Sequence, residues 1–415
     1  MPTKRYEPDP VGRTFSGLPG SRARKLLDLA YRAVTRPTVP NPFHRFGRLI
    51  VRVEAWLNVA HLARHHDILV FGFGRTPTNT SLELALYRML GKRIVAIFHG
   101  TDVRPPYLNE TMAPAGRPVE WEKLLRQTRQ VAGRVHRFER FAHEVCAYPG
   151  VSHFFTREVV DWYRIGKPLT LLSDRAEPAP REETRGTTML RAGRGPTRQS
   201  TKGTAEISAR INELVAEGWQ LEFIYPPTHI QKRELHQLLR ACDLVIDQLW
   251  ADVPGATLAA ESIEMGIPVI VGVHDVALMT AWYPERARVM TFIDAESLKQ
   301  TLIDVLESPA GAASLWKGNL GADQETIARR YLDVFVGRDA GRWRFDPKEV
   351  LGVFGCGPPR RIHEIAAGYV GRFGARSLML DHRPELGQLI EGWVASGPSS
   401  TEEVDAAADG RTGVL

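Results

Sequence analysis

The sequence predicts an α/β protein made of two Rossmann-like domains whose open parallel sheets face a central cleft. Three observations carry this expectation. Apolar runs such as Arg93–His99 and Ile267–Val273 are strand-length and nearly continuous, the pattern of parallel strands covered on both faces. These runs alternate with helical segments, so successive strands need crossover connections. Residues 174–186, dense in Pro and charge with little to bury, separate two such series. At 415 residues the chain also exceeds the size at which a single core usually stops growing.

The elements follow in order. Residues 1–24, rich in Pro, Gly and Arg, read as a flexible arm. A first domain is expected over 25–173. Helical patterning starts near Arg24–Val34 and resumes over Leu49–Arg64. His66–Phe73 reads as a buried strand, Ser81–Leu90 as a helix stopped by Gly91, and Arg93–His99 as the next strand. A long charged helix fills Val119–His143, and Glu144–Tyr148 and Leu169–Leu172 are short strand candidates. Beyond the linker at 174–186, a second domain is expected over 187–335. Its strands are Thr188–Ala192, Leu221–Tyr225, Asp243–Leu249, Ile267–Val273 and Val289–Ile293. Its helices are Ala205–Glu217, with apolar Ile207, Ile211, Leu214 and Val215 at helical spacing, then Gln231–Arg240, Thr257–Met265 and Ala295–Leu306. Residues 336–395 have mixed character and form an extension, for which a return to the first domain is one option. Residues 396–415 are small and polar and read as a disordered tail.

Composition narrows the function classes. No apolar run approaches the roughly 20 residues of a membrane span, and the polar start of the chain has no signal-peptide core. Cys146, Cys242 and Cys356 are far apart and form no CxxC pair, which disfavours a zinc site or disulfide scaffold and fits a cytoplasmic protein. Twelve Lys/Arg against four Asp/Glu give residues 1–65 a net charge of +8 and leave −2 for the remainder. That basic stretch is either a solvated surface or a peripheral contact with the anionic inner face of a membrane. No helix-turn-helix, zinc-finger or RNA-binding signature points to nucleic acid.

The densest chemical signal lies between Arg191 and Gly272. Arg198 and Lys202 fall in a strand-to-helix loop, where two cations beside a helix N-terminus suit an anion such as a diphosphate. In the loop after the strand that ends at Asp247 and Gln248, Pro254-Gly255-Ala256 makes a tight turn into a helix, and small residues there allow close backbone approach. Glu261, one turn inside that helix, is placed to accept both hydroxyls of a ribose; the plainer reading is a solvated loop and a carboxylate complementing the helix dipole.

KGT (Lys202–Thr204), DLVIDQ (Asp243–Gln248), AAESIEMGIPVIV (Ala259–Val271) and FHGTDVR (Phe98–Arg104) together resemble the retaining family-four glycosyltransferases, which have the GT-B fold. The resemblance spans roughly residues 66–335. It implies transfer of a sugar from a nucleoside-diphosphate sugar to an unidentified acceptor, with retention and without metal or cofactor. It implies that Arg198 and Lys202 hold the donor diphosphate, that Gly255 and Ala256 present backbone N–H groups to it, and that Glu261 holds the ribose. It places His99 against the transferred sugar as the catalytic candidate, and Asp102 and Arg104 on the acceptor side. The sequence departs from the family at Val253, where a second, sugar-contacting glutamate is usual, with Asp252 as a neighbouring substitute. Arg194 replaces a histidine, and the only glycine-rich stretch near the start is Ser16–Ser21. These departures keep open a second reading, a catalytically weak accessory protein that binds a sugar nucleotide or a partner glycosyltransferase. A sugar-nucleotide epimerase of the same shape would need more acid/base residues than the cleft supplies.

Overall fold

The computed structural model describes residues 43–169, 190–193, 202–225, 230–307 and 323–397. The expected helix at Arg24–Val34, most of the strand candidate Leu169–Leu172, the linker 174–186, the tail 396–415 beyond Gly397, and Arg198 lie outside these residues.

Contacts divide the chain into two units. The smaller comprises Met1–His66 and Thr76–Glu83. Helix α1 (Phe43–His65) leaves Val51, Val53, Trp56 and Leu57 exposed along its length. The segment Thr76–Glu83 is tied by Glu83, whose Oε2 accepts from Thr76 Oγ1 at 2.7 Å and from the Thr78 N–H at 2.8 Å. That carboxylate sits in the first turn of α2 (Ser81–Met89), where negative charge is favoured.

The larger unit, Asp67–Arg75 and Leu84–Leu415, contains two five-stranded sheets. The first begins with β1 (Ile68–Gly72), β2 (Arg93–Ile97), β3 (Glu144–Ala147) and β4 (Val159–Asp161), all parallel and adjacent in chain order. α3 (Trp121–Phe141) connects β2 to β3, burying Leu124, Val131, Val135 and Phe138 at helical spacing. β2 is buried along its centre, as a two-sided parallel strand should be. β1 is not the fully buried strand its composition suggests: Leu69 and Phe71 are buried but Val70 is 42% exposed. The reason is position, since β1 is an edge strand. α4 (Trp162–Ile165) follows β4 directly, N-capped by Asp161.

The second sheet holds β5 (Leu190–Gly193), β6 (Leu221–Ile224), β7 (Leu244–Ile246), β8 (Val269–Gly272) and β9 (Thr291–Ile293), wholly parallel and ordered β6-β5-β7-β8-β9. Between them run α5 (Thr204–Ala216), α6 (Lys232–Arg240), α7 (Thr257–Glu264), α8 (Val276–Trp282) and α9 (Pro284–Ala287), and α10 (Leu298–Glu307) follows β9. Ile207, Ile211 and Leu214 of α5 pack into one core with Leu244, Ile246, Ile270 and Leu302. Val215, counted with them by spacing, is 47% exposed. Gly203, left-handed at φ 70°, is the N-cap residue of α5, one position before the expected Thr204.

The end of the chain builds onto the first sheet. α11 (Gln324–Val336) packs across β1 and β2 and against α4. β10 (Arg344–Phe345) pairs antiparallel with β4. α12 (Pro359–Phe373) docks on the turn Pro106–Leu108, with Tyr107 and Tyr369 stacked at 5.1 Å, and α13 (Pro384–Ser396) packs on α12. The structure is therefore α/β with two open, mainly parallel sheets.

Candidate functional site

The strand order of the second sheet locates its crevice. β5 and β6 run outward in one direction, and the chain then crosses back over β5 to lay down β7. Strand order thus reverses between β5 and β7, and ligands of open α/β sheets bind beyond the carboxyl ends of strands at such a point. Lys202 and Asp247 meet there. The Leu249 N–H donates to the Lys202 carbonyl at 3.1 Å, joining the two loops. Lys202 Nζ lies 3.7 Å from Asp247 Oδ1, with the lysine side chain 19% exposed and the carboxylate fully buried. Gly203 must be glycine, because a Cβ would sit 2.8 Å from the Leu249 side chain in a backbone already left-handed.

The turn into α7 differs from expectation in its hydrogen bonds. The Gly255 N–H donates to the Val253 carbonyl and the Ala256 N–H to Asp247 Oδ2, each at 2.8 Å. Both groups expected to face a diphosphate are spent inside the loop in this arrangement. Glu261 is buried one turn into α7 and is held from α6: Oε1 pairs with Lys232 Nζ at 2.8 Å, and Oε2 lies 3.3 Å from His236 Nε2. Lys232 and His236 are four residues apart, which puts both on one helix face. Sequence reading missed them, although that spacing was available.

At the first sheet, His99 follows the carboxyl end of β2. Its ring lies 4.4 Å from that of Phe73 and 5.5 Å from that of Trp162. The imidazole stays exposed to solvent at one side, yet removal of water by these rings lowers its pKa, and the nearby Lys167 adds to that against the opposing pull of Asp102. These surroundings disfavour the charged imidazolium. Asp102 closes the turn itself, accepting from the His99 N–H at 3.0 Å and the Gly100 N–H at 2.8 Å.

Arg104, expected on the acceptor side, is buried and committed elsewhere. Its Nε donates to Asp252 Oδ2 at 2.7 Å and its Nη2 reaches the same oxygen and the Tyr148 hydroxyl. Burial alone would disfavour the guanidinium charge, but Asp252, with Tyr148 and Cys356, more than offsets this and raises the pKa. Asp252 is thereby occupied, so it is not free to stand in for the glutamate that Val253 replaces; Val253 itself is buried.

Two further cations converge on the ring of Tyr163. Lys167 Nζ lies 5.6 Å from its centroid and 5.7 Å from that of Trp162, and Arg286 lies 5.7 Å from the Tyr163 centroid. Lys167 is half-buried; burial lowers its pKa to about 8, with Asp247 and Glu261 opposing and Arg286 and Lys202 adding to the shift. Lys167 is thus in electrostatic reach of the Lys202–Asp247 loops and also acts on His99. No motif or spacing marks it in the sequence. Beside it, buried Asp161 accepts from the Tyr163 N–H at 2.9 Å and from the Tyr283 hydroxyl at 2.9 Å. Burial nevertheless pushes its carboxyl up to about 7 against those bonds.

No protein-family profile matches the chain, and none of the curated proteins is detectably similar to it in sequence. Among solved structures it is similar to Anabaena Alr3699/HepE in complex with UDP, at 16% identity, covering 78% of this chain and 98% of that one, with a TM-score of 0.41. It is also similar to the glycosyltransferase SnogD from Streptomyces nogalater, at 14% identity over 73% and 79% of the two chains, TM-score 0.30. A third is the spinosyn rhamnosyltransferase SpnG complexed with spinosyn aglycone, at 13% identity over 76% and 82%, TM-score 0.33. None of these likenesses bears on the chemistry, which is read from the residues themselves.

Proposed function

We propose that this chain is a glycosyltransferase of the GT-B kind that uses a nucleoside-diphosphate sugar. The observation that supports this best is the meeting of Lys202 and Asp247 at the switch point between β5 and β7, with Asp247 bonded to the start of the helix that carries Glu261. In this reading Lys202, with Arg198 beside it in sequence, takes the diphosphate, and Glu261 exchanges Lys232 for a ribose. The reaction proceeds with retention and draws on no metal or cofactor. Cations fixed beforehand beside the leaving phosphate stabilise the charge that develops on it, and the phosphate oxygen itself removes the acceptor proton. His99, neutral, offers a hydrogen bond to the transferred sugar and takes no proton, while Phe73 beside it forms part of the acceptor side. The basic residues of 1–65 and the exposed Val51, Val53, Trp56 and Leu57 of α1 support contact with an anionic membrane surface. No described helix is long and apolar enough to cross one.

A second reading, the weakly catalytic accessory protein, draws on Val253 and on Asp252 being held by Arg104. Thermal unfolding with UDP, GDP and ADP at millimolar concentration separates the readings. A ligand at 100 times its Kd stabilises by about 2.7 kcal/mol. Stabilisation by one nucleotide, reduced at least tenfold in affinity by Glu261→Gln, together with release of that nucleotide from its sugar conjugate, is the expected result. Stabilisation without turnover favours the accessory protein, and no stabilisation by any of the three sinks the transferase and leaves only an accessory protein that binds a partner glycosyltransferase.

A further inference from the structure

We propose that Lys167 is a third cation of the diphosphate site, delivered by the segment that leaves the first sheet, and that it shares the terminal phosphate with Lys202. This rests on the donor-site reading above.

The backbone that carries Lys167 is fixed at three points by α11. The Tyr331 hydroxyl donates to the Gly166 carbonyl at 3.1 Å, Arg330 Nη1 to the Ile165 carbonyl at 3.1 Å, and Gln324 Oε1 accepts from the Leu169 N–H at 2.8 Å. Gly166 turns the chain at φ 116°, where a Cβ would fall 2.8 Å from Ile327 of the same helix. A lysine stem that starts from so constrained a backbone has lost part of its freedom before any ligand arrives, which is what preorganised binding requires.

Two ring faces hold the ammonium. Among the described residues no hydrogen bond or ion pair reaches it, only the rings of Trp162 and Tyr163. A ring face attracts a cation but accepts none of its hydrogen bonds in the manner of an oxygen, so three N–H donors remain for an oxygen ligand. Nor do the surrounding charges balance. Asp247 and Glu261 oppose the loss of charge at Lys167, and Asp161 and Glu285 oppose it at Arg286, yet burial prevails at both. Arg286 Nη1 is buried and has no hydrogen-bond partner among the described residues. A cation drawn from water without full compensation is costly, and a multiply charged anion beside this cluster relieves that cost. A solvated surface lysine would show neither the braced backbone nor the convergence of like charge.

The test is calorimetric titration of the full chain with UDP, uridine and inorganic pyrophosphate, comparing wild type, Lys167→Met, Lys167→Arg and Lys202→Met. Methionine keeps the stem and removes the charge; arginine keeps the charge. The expected outcome is a roughly tenfold loss of UDP affinity in Lys167→Met, unchanged uridine affinity, and recovery to within about threefold in Lys167→Arg. Equal losses for UDP and uridine would mean that the lysine only shapes the site, and that overturns the proposal, as does normal UDP binding by Lys167→Met. Failure of the donor reading gives another pattern. If wild type binds pyrophosphate through Lys167 and binds UDP no better, the anion site stands and the nucleotide reading falls. If wild type binds neither, both fall.

Discussion

Asp161 shows how much a single buried carboxyl can impose on the molecule. It caps α4, accepts the Tyr283 hydroxyl, and is held by burial at a pKa of about 7, well above its usual value. A raised folded-state pKa means that the folded chain binds a proton the unfolded chain releases. That contribution to stability is complete below about pH 4 and is lost as pH rises through about 7. Asp161→Asn removes the titration. Denaturant unfolding between pH 4 and 7 should show the wild type losing up to about 1.4 kcal/mol per pH unit relative to the variant. Parallel curves would refute the assignment. At this same scale the sequence was partly legible. Lys202, Asp247 and Glu261 stand in a recognisable pattern, and the structure brings Lys202 and Asp247 together. The occupation of Arg104 by Asp252 was not legible, because the two are 148 positions apart and a motif reports neighbours along the chain rather than partners across it. Lys167 escaped for a similar reason: its significance lies in two aromatic faces and a distant helix, none of which leaves a spacing to read.

Among the elements, α11 contributes more than its position suggests. It sits at the end of the second series, yet it packs on β1, β2 and α4 and fixes the carbonyls of Ile165 and Gly166. Gly166→Ala tests this bracing. The new methyl would enter a left-handed backbone and meet Ile327, a combined strain of about 1–3 kcal/mol. Expected is a lowered unfolding midpoint together with weaker nucleotide binding, since the segment carrying Lys167 must move; a midpoint unchanged from wild type would show that α11 does not constrain the turn. Strands and helices with strong periodicity were readable: α3, α5 and β8 lie within a few residues of their expected bounds. β4, α4 and β10 were not, being three, four and two residues long, too short to display a period.

At the scale of the larger unit, the two sheets are joined through buried polar contacts. Arg104 pairs with Asp252, Tyr283 bonds Asp161, and Arg286 donates to the Tyr163 carbonyl at 2.9 Å. Gly150 packs so closely on the Asp252 carbonyl that a Cβ would collide with it. Arg104→Met leaves Asp252 buried without its counter-charge, an arrangement that destabilises by about 3–5 kcal/mol. Adding Asp252→Asn should restore part of the loss, and additive losses in the double variant would show that the pair is not coupled. The two-sheet architecture was legible because each series of strands has its own alternation. The return of the C-terminal segment to the first sheet was legible only as one option, since nothing in α12 or β10 names the surface it docks on.

The Arg104–Asp252 contact has one more consequence. A protein with two independent cores would be expected to melt in two steps, the weaker first. Here each half supplies the counter-charge that the other needs once water is excluded, so neither can unfold without stranding a partner. Both sheets accordingly fall within one compact unit. Heating should therefore give a single transition for that unit, with calorimetric and van't Hoff enthalpies in agreement, and Arg104→Met should split it into two.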